Sequence, residues 1–105
     1  MRVRVLHLED EAADAELIAR ALLADVPDCE IFWVRNRRDF EAAVSRQRFD
    51  LVLADYSLPG YGGLEALHLA LEHAPETAVI MVSGSLSAAD AVSCMQAGAT
   101  DYVLK

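Results

Sequence analysis

The stretch LVLADYSLPG at residues 51–60 decides the fold class of this chain. Four apolar residues, Leu51–Ala54, follow one another without alternation, and Asp55 and a turn-forming segment at residues 57–60 come after them. A short, continuously apolar run bounded by turn residues is typical of a strand that is covered on both faces, as in a parallel sheet. The stretch therefore predicts a central strand with helices on both sides of the sheet.

Four further β-rich runs alternate with helical patterns along the chain. The five predicted strands are Val3–Leu8, Glu30–Val34, Leu51–Ala54, Ala78–Val82 and Tyr102–Leu104. Strict βαβαβαβαβ alternation predicts an α/β fold with a doubly wound, five-stranded parallel sheet. No helical pattern follows the last run, so we expect one face of the fifth strand to be uncovered and the native protein to continue beyond Lys105.

Each helical pattern has apolar residues at helical spacing, and two patterns begin with a capping residue. Asn36 can cap the second helix, Ser87 with Asp90 forms a capping box for the fourth, and Gly98 is expected to end that helix. The residues at helical spacing are Leu17, Ile18, Ala21 and Leu22, then Phe40, Ala43 and Val44, then Leu64, Leu67, His68 and Leu71, and finally Ala91, Val92 and Met95. The apolar ones among them are expected to mark the inner faces of the helices.

Composition restricts the class of protein. Residues 1–105 are enough for one domain, and the net charge of −8 repels phosphate backbones, which argues against nucleic-acid binding. The longest apolar runs have about five residues and are too short to span a bilayer. Cys29 and Cys94 have no metal-ligand spacing and are expected to be free thiols. A cytoplasmic protein is the expectation.

Polar side chains follow four of the five predicted strands. Glu9 and Asp10 follow the first, Asp55 follows the third, Ser83 follows the fourth, and Lys105 follows the fifth. Ligands of open α/β sheets bind outside the carboxyl ends of the strands. Three carboxylates brought together there repel one another unless a cation compensates, and hard oxygen ligands favour Mg²⁺ or a similar ion.

The same residues suit phosphoryl transfer. A carboxylate can attack phosphorus and form an aspartyl phosphate, and the reaction depends mainly on charge neutralisation and positioning. A metal ion on one side, Lys105 on the other and the hydroxyl of Ser83 could supply both. The sequence therefore predicts a self-phosphorylating site at Asp55.

Each of these residues also has an ordinary structural explanation. Asp10 could cap a helix, Asp55 could form a turn, and Ser83 could belong to a loop. Glu9 and Glu11 could complement a helix dipole, and Lys105 could be a solvated end. Three histidines show no ligand pairing: His7 is expected to pack within a strand, and His68 and His73 to lie on helix surfaces. The coincidence at four strand ends favours the functional interpretation.

The chain resembles the receiver domain of response regulators over essentially its whole length, short of the final helix. That family has the flavodoxin-like receiver fold with strand order 2-1-3-4-5. The segments that carry the resemblance are Leu8–Glu11, Leu51–Gly60, Val82–Gly84 and Ala97–Lys105, in this order and at typical spacing. Together these motifs are highly specific.

The resemblance implies a role for each site residue. Asp55 is the phosphoacceptor, and the metal ligands are Glu9, Asp10, Asp55 and the backbone carbonyl of Ser57, with Mg²⁺ or Mn²⁺ as the ion. Lys105 contacts the phosphoryl group. Ser83 and Tyr102 form the switch: the hydroxyl moves toward the phosphate and the aromatic ring turns inward.

Further expectations follow for the remaining positions. Gly84 allows a phosphodonor to approach, and the side chains of Ser57 and Ser85 tune the lifetime of the phosphate. Glu9 stands where many members have Asp, and Ser83 where Thr is more frequent; both substitutions keep the relevant oxygen. The residue after the lysine, usually proline, lies beyond this chain.

The implied partners are proteins. The donor is a histidine kinase or a histidine phosphotransfer protein, and the domain catalyses its own phosphorylation and dephosphorylation. A kinase or output domain attached beyond Lys105 and a homodimer are further expectations, whereas direct contact with nucleic acid or membrane is not.

Three other classes of protein compete with a phosphorylated receiver domain. A phosphatase of the haloacid dehalogenase type needs a second Asp two residues after the first, and that position is Ser57. A flavodoxin-type carrier needs a phosphate-binding loop where the acidic residues 9–11 stand. A receiver-like interaction module that works without phosphorylation stays open as the main alternative.

Overall fold

The computed structural model describes residues 2–84 and 87–105. Seven strands and four helices lie in this part of the chain. The strands are β1 (Arg4–Leu8), β2 (Glu30–Val34), β3 (Leu51–Asp55), β4 (Ser57–Leu58), β5 (Tyr61–Gly62), β6 (Ala78–Ser83) and β7 (Asp101–Leu104), and the helices are α1 (Ala12–Asp25), α2 (Arg37–Arg46), α3 (Gly63–His73) and α4 (Ala88–Gln96).

The main sheet has five parallel strands in the order β2-β1-β3-β6-β7. Without the short strands β4 and β5, this is the predicted order 2-1-3-4-5, and the predicted fold class is confirmed. All five predicted strands exist with boundaries within one residue of those expected. Because the strands are parallel, their carboxyl ends lie at one edge of the sheet.

The small hairpin of β4 and β5 is an addition that the sequence did not predict. Ser57 pairs with Gly62 and Leu58 with Tyr61 in antiparallel register. Gly60, with φ of +73°, provides the left-handed residue of the turn. The segment was expected to be a simple turn, since two residues are too short for a recognisable strand pattern.

The helices cover the two faces of the sheet unequally. The larger core lies under α2, α3 and α4 and is built around Leu6, Leu8, Phe40, Leu67 and Met81, all of them fully buried. On the other face α1 packs over a smaller cluster. Both faces carry helices, as expected for a doubly wound sheet.

The smaller cluster is only partly covered. Val5, Cys29 and Leu53 are buried under Ile18 and Leu22 of α1. Next to them an apolar groove of about 350 Å³ runs between α1 and the β6–β7 side of the sheet. Val103 and Leu104 in β7 are exposed, so the uncovered face predicted for the fifth strand is observed in this chain.

Two predicted helix faces are partly wrong. In α1, Leu17 is 69% exposed and Ala21 is exposed as well, since they border the open groove. In α4, Val92 and Met95 lie outward, and the fully buried residue is Cys94. The small side chains of Cys94 and Ala97 pack against the larger core, which turns the bulkier apolar residues to the outside. His68 and His73 are exposed, as predicted for histidines on helix surfaces.

The predicted helix ends agree with the structure at three positions. The side chain of Asn36 accepts a hydrogen bond from the Asp39 amide, and the Ser87 hydroxyl accepts one from the Asp90 amide. Gly98 follows α4 with φ of +109°. Both cysteines are free and buried. No helix in the described part of the chain combines the length and apolar character required to cross a membrane.

Candidate functional site

The acidic residues predicted after β1 and β3 converge at the carboxyl edge of the sheet. Glu9 directly follows β1, and Asp55 is the last residue of β3, its neighbour in the sheet. Glu9 is fully buried and Asp55 nearly so. One carboxylate oxygen from each of Glu9, Asp10 and Asp55 lies within 4.8 Å of the others. These three residues, called the acidic cluster below, could hold a metal ion.

Asp10 is available to this cluster because it does not cap α1. The N-cap position is Glu11, and no side chain forms a cap hydrogen bond there. The alternative interpretation of Asp10 as a helix cap is therefore wrong. Its backbone carbonyl accepts a hydrogen bond from Arg35 at 3.0 Å. This hydrogen bond holds the backbone between β1 and α1, and the carboxylate of Asp10 faces the acidic cluster.

Lys105 supplies the positive charge of the site. Its Nζ lies 2.8 Å from Oε1 of Glu9 and 3.0 Å from Oδ2 of Asp55, and its backbone amide donates to the carbonyl oxygen of Ser83 at 2.7 Å. The interpretation of Lys105 as a solvated end is wrong, since its side chain is only 19% exposed. A third ion pair, at 3.0 Å, joins Nζ to Asp14.

Burial and nearby charges shift the pKa values of Glu9 and Lys105. Burial raises the pKa of Glu9, while Lys105 and the amide of Glu11 oppose that rise. Partial burial acts against the charged form of Lys105, but its contacts with Glu9, Asp14 and Asp55 raise its pKa overall. Lys105 is therefore a fixed cation facing several carboxylates, an arrangement that suits binding of a charged group.

The remaining predicted residues lie around this centre. Ser83 ends β6 and is almost completely buried. The backbone amide of Ser57 donates to Oδ1 of Asp55 at 3.0 Å and so holds the carboxylate. A side chain at Gly84 would meet open space, consistent with an approach route. Ser85, expected to tune the phosphate lifetime, lies outside the described residues.

Tyr102 lies away from the acidic cluster, against Tyr56. The two rings meet edge to face with centroids 5.9 Å apart. The Tyr102 hydroxyl is buried and has no hydrogen-bond partner within residues 2–84 and 87–105, whereas the hydroxyl of Tyr56 donates to Asp90 at 3.2 Å. An aromatic side chain with an unsatisfied buried hydroxyl can gain a partner by turning. This position is compatible with the predicted switch role.

Sequence reasoning missed two residues that contact the site. Asp14 reaches Lys105 from the first turn of α1; its position four residues after Asp10 could have indicated that it lies above the same strand end. Trp33 donates from its indole nitrogen to the carbonyl oxygen of Glu9 at 2.8 Å. No sequence signal indicates that contact, because it depends on how β1 and β2 pair.

Known proteins resemble this chain in both sequence and structure. A family model described as the response regulator receiver domain matches residues 5–105. The protein-glutamate methylesterase/protein-glutamine glutaminase of Azospirillum brasilense is 36% identical over 98% of this chain and 27% of its own length. The chain spans less than half the length of the curated relatives that it matches.

Solved structures of receiver domains also resemble this chain. A CheY-like receiver domain protein from Methanospirillum hungatei has a TM-score of 0.89 and 28% identity, over 100% of this chain and 82% of that one. The BeF3-activated receiver domain of DrrB, a Thermotoga maritima protein, has a TM-score of 0.88 and 25% identity, over 100% of this chain and 86% of that one.

Proposed function

The chain belongs to the response regulator receiver domain family, and on that premise we propose that Asp55 accepts a phosphoryl group in two-component or phosphorelay signalling. The donor is a histidine kinase or a histidine phosphotransfer protein. One observation carries the proposal: the carboxylate of Asp55 ends the central strand between Lys105, at 3.0 Å, and the acidic cluster. Residues 1–105 act as one receiver domain, in the cytoplasm.

The transfer needs one bond formed and one broken. An oxygen of the Asp55 carboxylate bonds to phosphorus, the bond from phosphorus to the donor's imidazole nitrogen breaks, and the imidazole leaves with a proton from solvent. The Ser57 amide holds one oxygen of Asp55 in place at 3.0 Å. Lys105 lies where it can neutralise the charge of the transferred group. Dephosphorylation is a separate step: a water oxygen bonds to phosphorus, the bond from phosphorus to the Asp55 oxygen breaks, and inorganic phosphate leaves.

The acidic cluster fits a divalent ion. Three carboxylate oxygens within 4.8 Å suit Mg²⁺ or Mn²⁺, which prefer hard oxygen ligands and keep positions for water and phosphate. Glu9, Asp10 and Asp55 would hold the ion, together with the backbone carbonyl of Ser57. When bound, it stabilises charge on the phosphoryl oxygens. The DrrB receiver, similar in structure, is BeF3-activated, which supports the same chemistry here.

The signal leaves the site through Ser83 and Tyr102. A phosphoryl group on Asp55 offers strong acceptor oxygens to the hydroxyl of Ser83, which ends the neighbouring strand. The ring of Tyr102, whose hydroxyl is already buried in this structure, then turns further inward, and the surface around α4 and β7 changes for a partner or an attached domain. Whether that domain is an enzyme or a transcriptional regulator differs among the relatives.

Intact mass after incubation with acetyl phosphate tests the proposal. We expect the wild type to gain one phosphoryl group only when Mg²⁺ is present. Asp55→Asn should gain none. Asp50→Asn is the matched control, because Asp50 precedes the same strand at the opposite edge of the sheet, and it should be labelled like the wild type.

Two outcomes would contradict the proposal. Labelling of Asp55→Asn to the wild-type extent would move the phosphoacceptor elsewhere. A folded, Mg²⁺-saturated wild type that accepts a phosphoryl group neither from acetyl phosphate nor from a phosphohistidine donor would favour the phosphorylation-independent interaction module. Such a module should bind its partner equally well as wild type and as Asp55→Asn.

A further inference from the structure

Lys105 has three carboxylate partners, and one of them lies outside the acidic cluster. Its Nζ is 2.8 Å from Glu9, 3.0 Å from Asp55 and 3.0 Å from Asp14. The contacts with Asp55 and Asp14 are hydrogen bonds, and the contact with Glu9 is an ion pair without hydrogen-bond geometry. Asp14 differs from the other two because its carboxylate is 41% exposed and is not part of the acidic cluster.

A divalent ion and Lys105 would share the same two buried carboxylates. An ion bound by the acidic cluster takes oxygens of Glu9 and Asp55, which are also the two buried partners of Lys105. Asp14, outside the acidic cluster, is the partner whose carboxylate such an ion does not use. A lysine side chain has about 2 kcal/mol of rotamer entropy, so without a partner its ammonium would spread over several positions.

We propose that Asp14 is a positioning residue that holds the ammonium of Lys105 at the mouth of the site, facing the phosphoryl group on Asp55. The inference rests on the proposed function and adds a residue to its machinery. Two anchors then fix the lysine: its backbone amide donates to the carbonyl of Ser83 at 2.7 Å, and its tip contacts Asp14 at 3.0 Å. Pre-positioned charge speeds phosphoryl transfer because it needs no rearrangement during the reaction.

The plain alternative is that Asp14 only complements the dipole of α1. An acidic residue in the first turn of a helix stabilises it by about 0.3–1 kcal/mol without any specific partner. Glu11, at the N-cap of the same helix, offers a matched comparison. Within residues 2–84 and 87–105 no ion pair joins Glu11 to Lys105, so Glu11→Gln removes a similar charge and leaves the lysine contact intact.

Amine labelling measures the contact directly, since Lys105 is the only lysine in the sequence. The metal-free protein is treated with an amine-reactive ester, and the N-terminal amine serves as the internal reference. We expect Asp14→Asn to raise the labelling rate of Lys105 about threefold to tenfold, because one of the two hydrogen bonds of its ammonium is lost. Glu11→Gln should leave the rate unchanged. Equal rates in Asp14→Asn and wild type would overturn the inference.

Phosphorylation kinetics test the consequence. With Mg²⁺ saturating, Asp14→Asn should slow adduct formation from acetyl phosphate about fivefold, while in a Lys105→Ala background the same change should have less than about a twofold effect. An equal slowing in both backgrounds would mean that Asp14 does not act through Lys105 and would overturn the inference.

The two proposals can fail separately. A wild type that is phosphorylated normally, with Asp14→Asn phosphorylated at the same rate, overturns the inference alone and leaves the proposed function standing. A folded wild type that takes up no phosphoryl group overturns the proposed function, and the inference falls with it even if labelling reveals the contact.

Discussion

The phenol oxygen of Tyr56 donates a hydrogen bond to Oδ1 of Asp90 at 3.2 Å, which joins the residue after Asp55 to the first turn of α4. The ring of the same tyrosine packs edge-on against Tyr102 in β7. Tyr56 thus contacts both α4 and β7, the two elements whose surface is proposed to change. It is also the residue that directly follows Asp55, the proposed phosphoacceptor.

Removing the Tyr56 hydroxyl should weaken the attachment of α4. We expect Tyr56→Phe to lower the free energy of unfolding by about 1 kcal/mol, the usual net value of one hydrogen bond, as measured by urea denaturation. The control is the same change in an Asp90→Ala background, where it should cost less than half as much. An equal cost in both backgrounds would show that the Tyr56–Asp90 contact adds no stability.

Binding of Mg²⁺ should stabilise the fold through the acidic cluster. At about 100 times its dissociation constant the ion should raise the free energy of unfolding by about 2.7 kcal/mol. Asp10→Asn should lose most of this gain and should be more stable than wild type in metal-free buffer, because one of three like charges is removed. Glu11→Gln, next to it, should keep the gain. A full Mg²⁺ response in Asp10→Asn would place the ion elsewhere.

The buried His7 should make stability depend on pH. Burial, followed by the nearby Lys105, lowers the pKa of His7 from its ordinary 6.5 to about 4, although Asp55 opposes this. Between these two values the unfolded chain binds a proton that the folded chain does not. Stability should therefore fall as pH decreases from about 6.5 to 4, by up to about 3 kcal/mol from this group.

Urea denaturation of a His7→Leu variant between pH 7 and pH 4.5 isolates this contribution. In His7→Leu, the unfolding free energy should depend much less on pH in that range. His73→Gln, which changes an exposed histidine, should keep the wild-type dependence. If the unfolding free energy of His7→Leu fell with pH as steeply as that of the wild type, the pH dependence would come from the carboxylates instead.

Gly63 should not tolerate a side chain. A Cβ there would lie 2.7 Å from Cδ1, 2.8 Å from Cα and 2.9 Å from the carbonyl oxygen of Tyr56, two of which are backbone atoms that cannot move aside cheaply. We expect Gly63→Ala to cost about 1–3 kcal/mol of unfolding free energy. Gly84→Ala, where a Cβ would meet open space, should change stability by less than about 0.5 kcal/mol. Equal thermal midpoints for both variants would contradict the close packing of Gly63 on Tyr56.

The predicted site was largely correct in position because of one property of parallel sheets. Alternation of strands and helices places every strand's carboxyl end at the same edge. Residues that follow strands, such as Asp10, Asp55 and Lys105, were therefore expected to meet, and they do. The roles assigned to them from the family resemblance remain predictions for the experiments above.

Prediction was weaker wherever the packing of one element on another decides the outcome. The apolar residues of α4 occur at helical spacing, yet small side chains around Cys94 face the core and Val92 and Met95 do not. Spacing reveals that a helix has an apolar side, but the helix can rotate to bring small residues into close contact with the sheet. The two-residue strands of the hairpin were too short for any pattern.

The amino-acid sequence by itself determined the five strands, the covering of the sheet by helices on both faces and the residues delivered to the carboxyl edge, because these depend on local patterns and on general rules of chain connection. The strand order was expected from the family resemblance. Only the tertiary structure decided which groups touch. The contact of Lys105 with Asp14 spans 91 positions of sequence and that of Tyr56 with Asp90 spans 34. Side-chain contacts at such separations depend on how helices and strands pack in three dimensions, to within an ångström, and no local pattern records that.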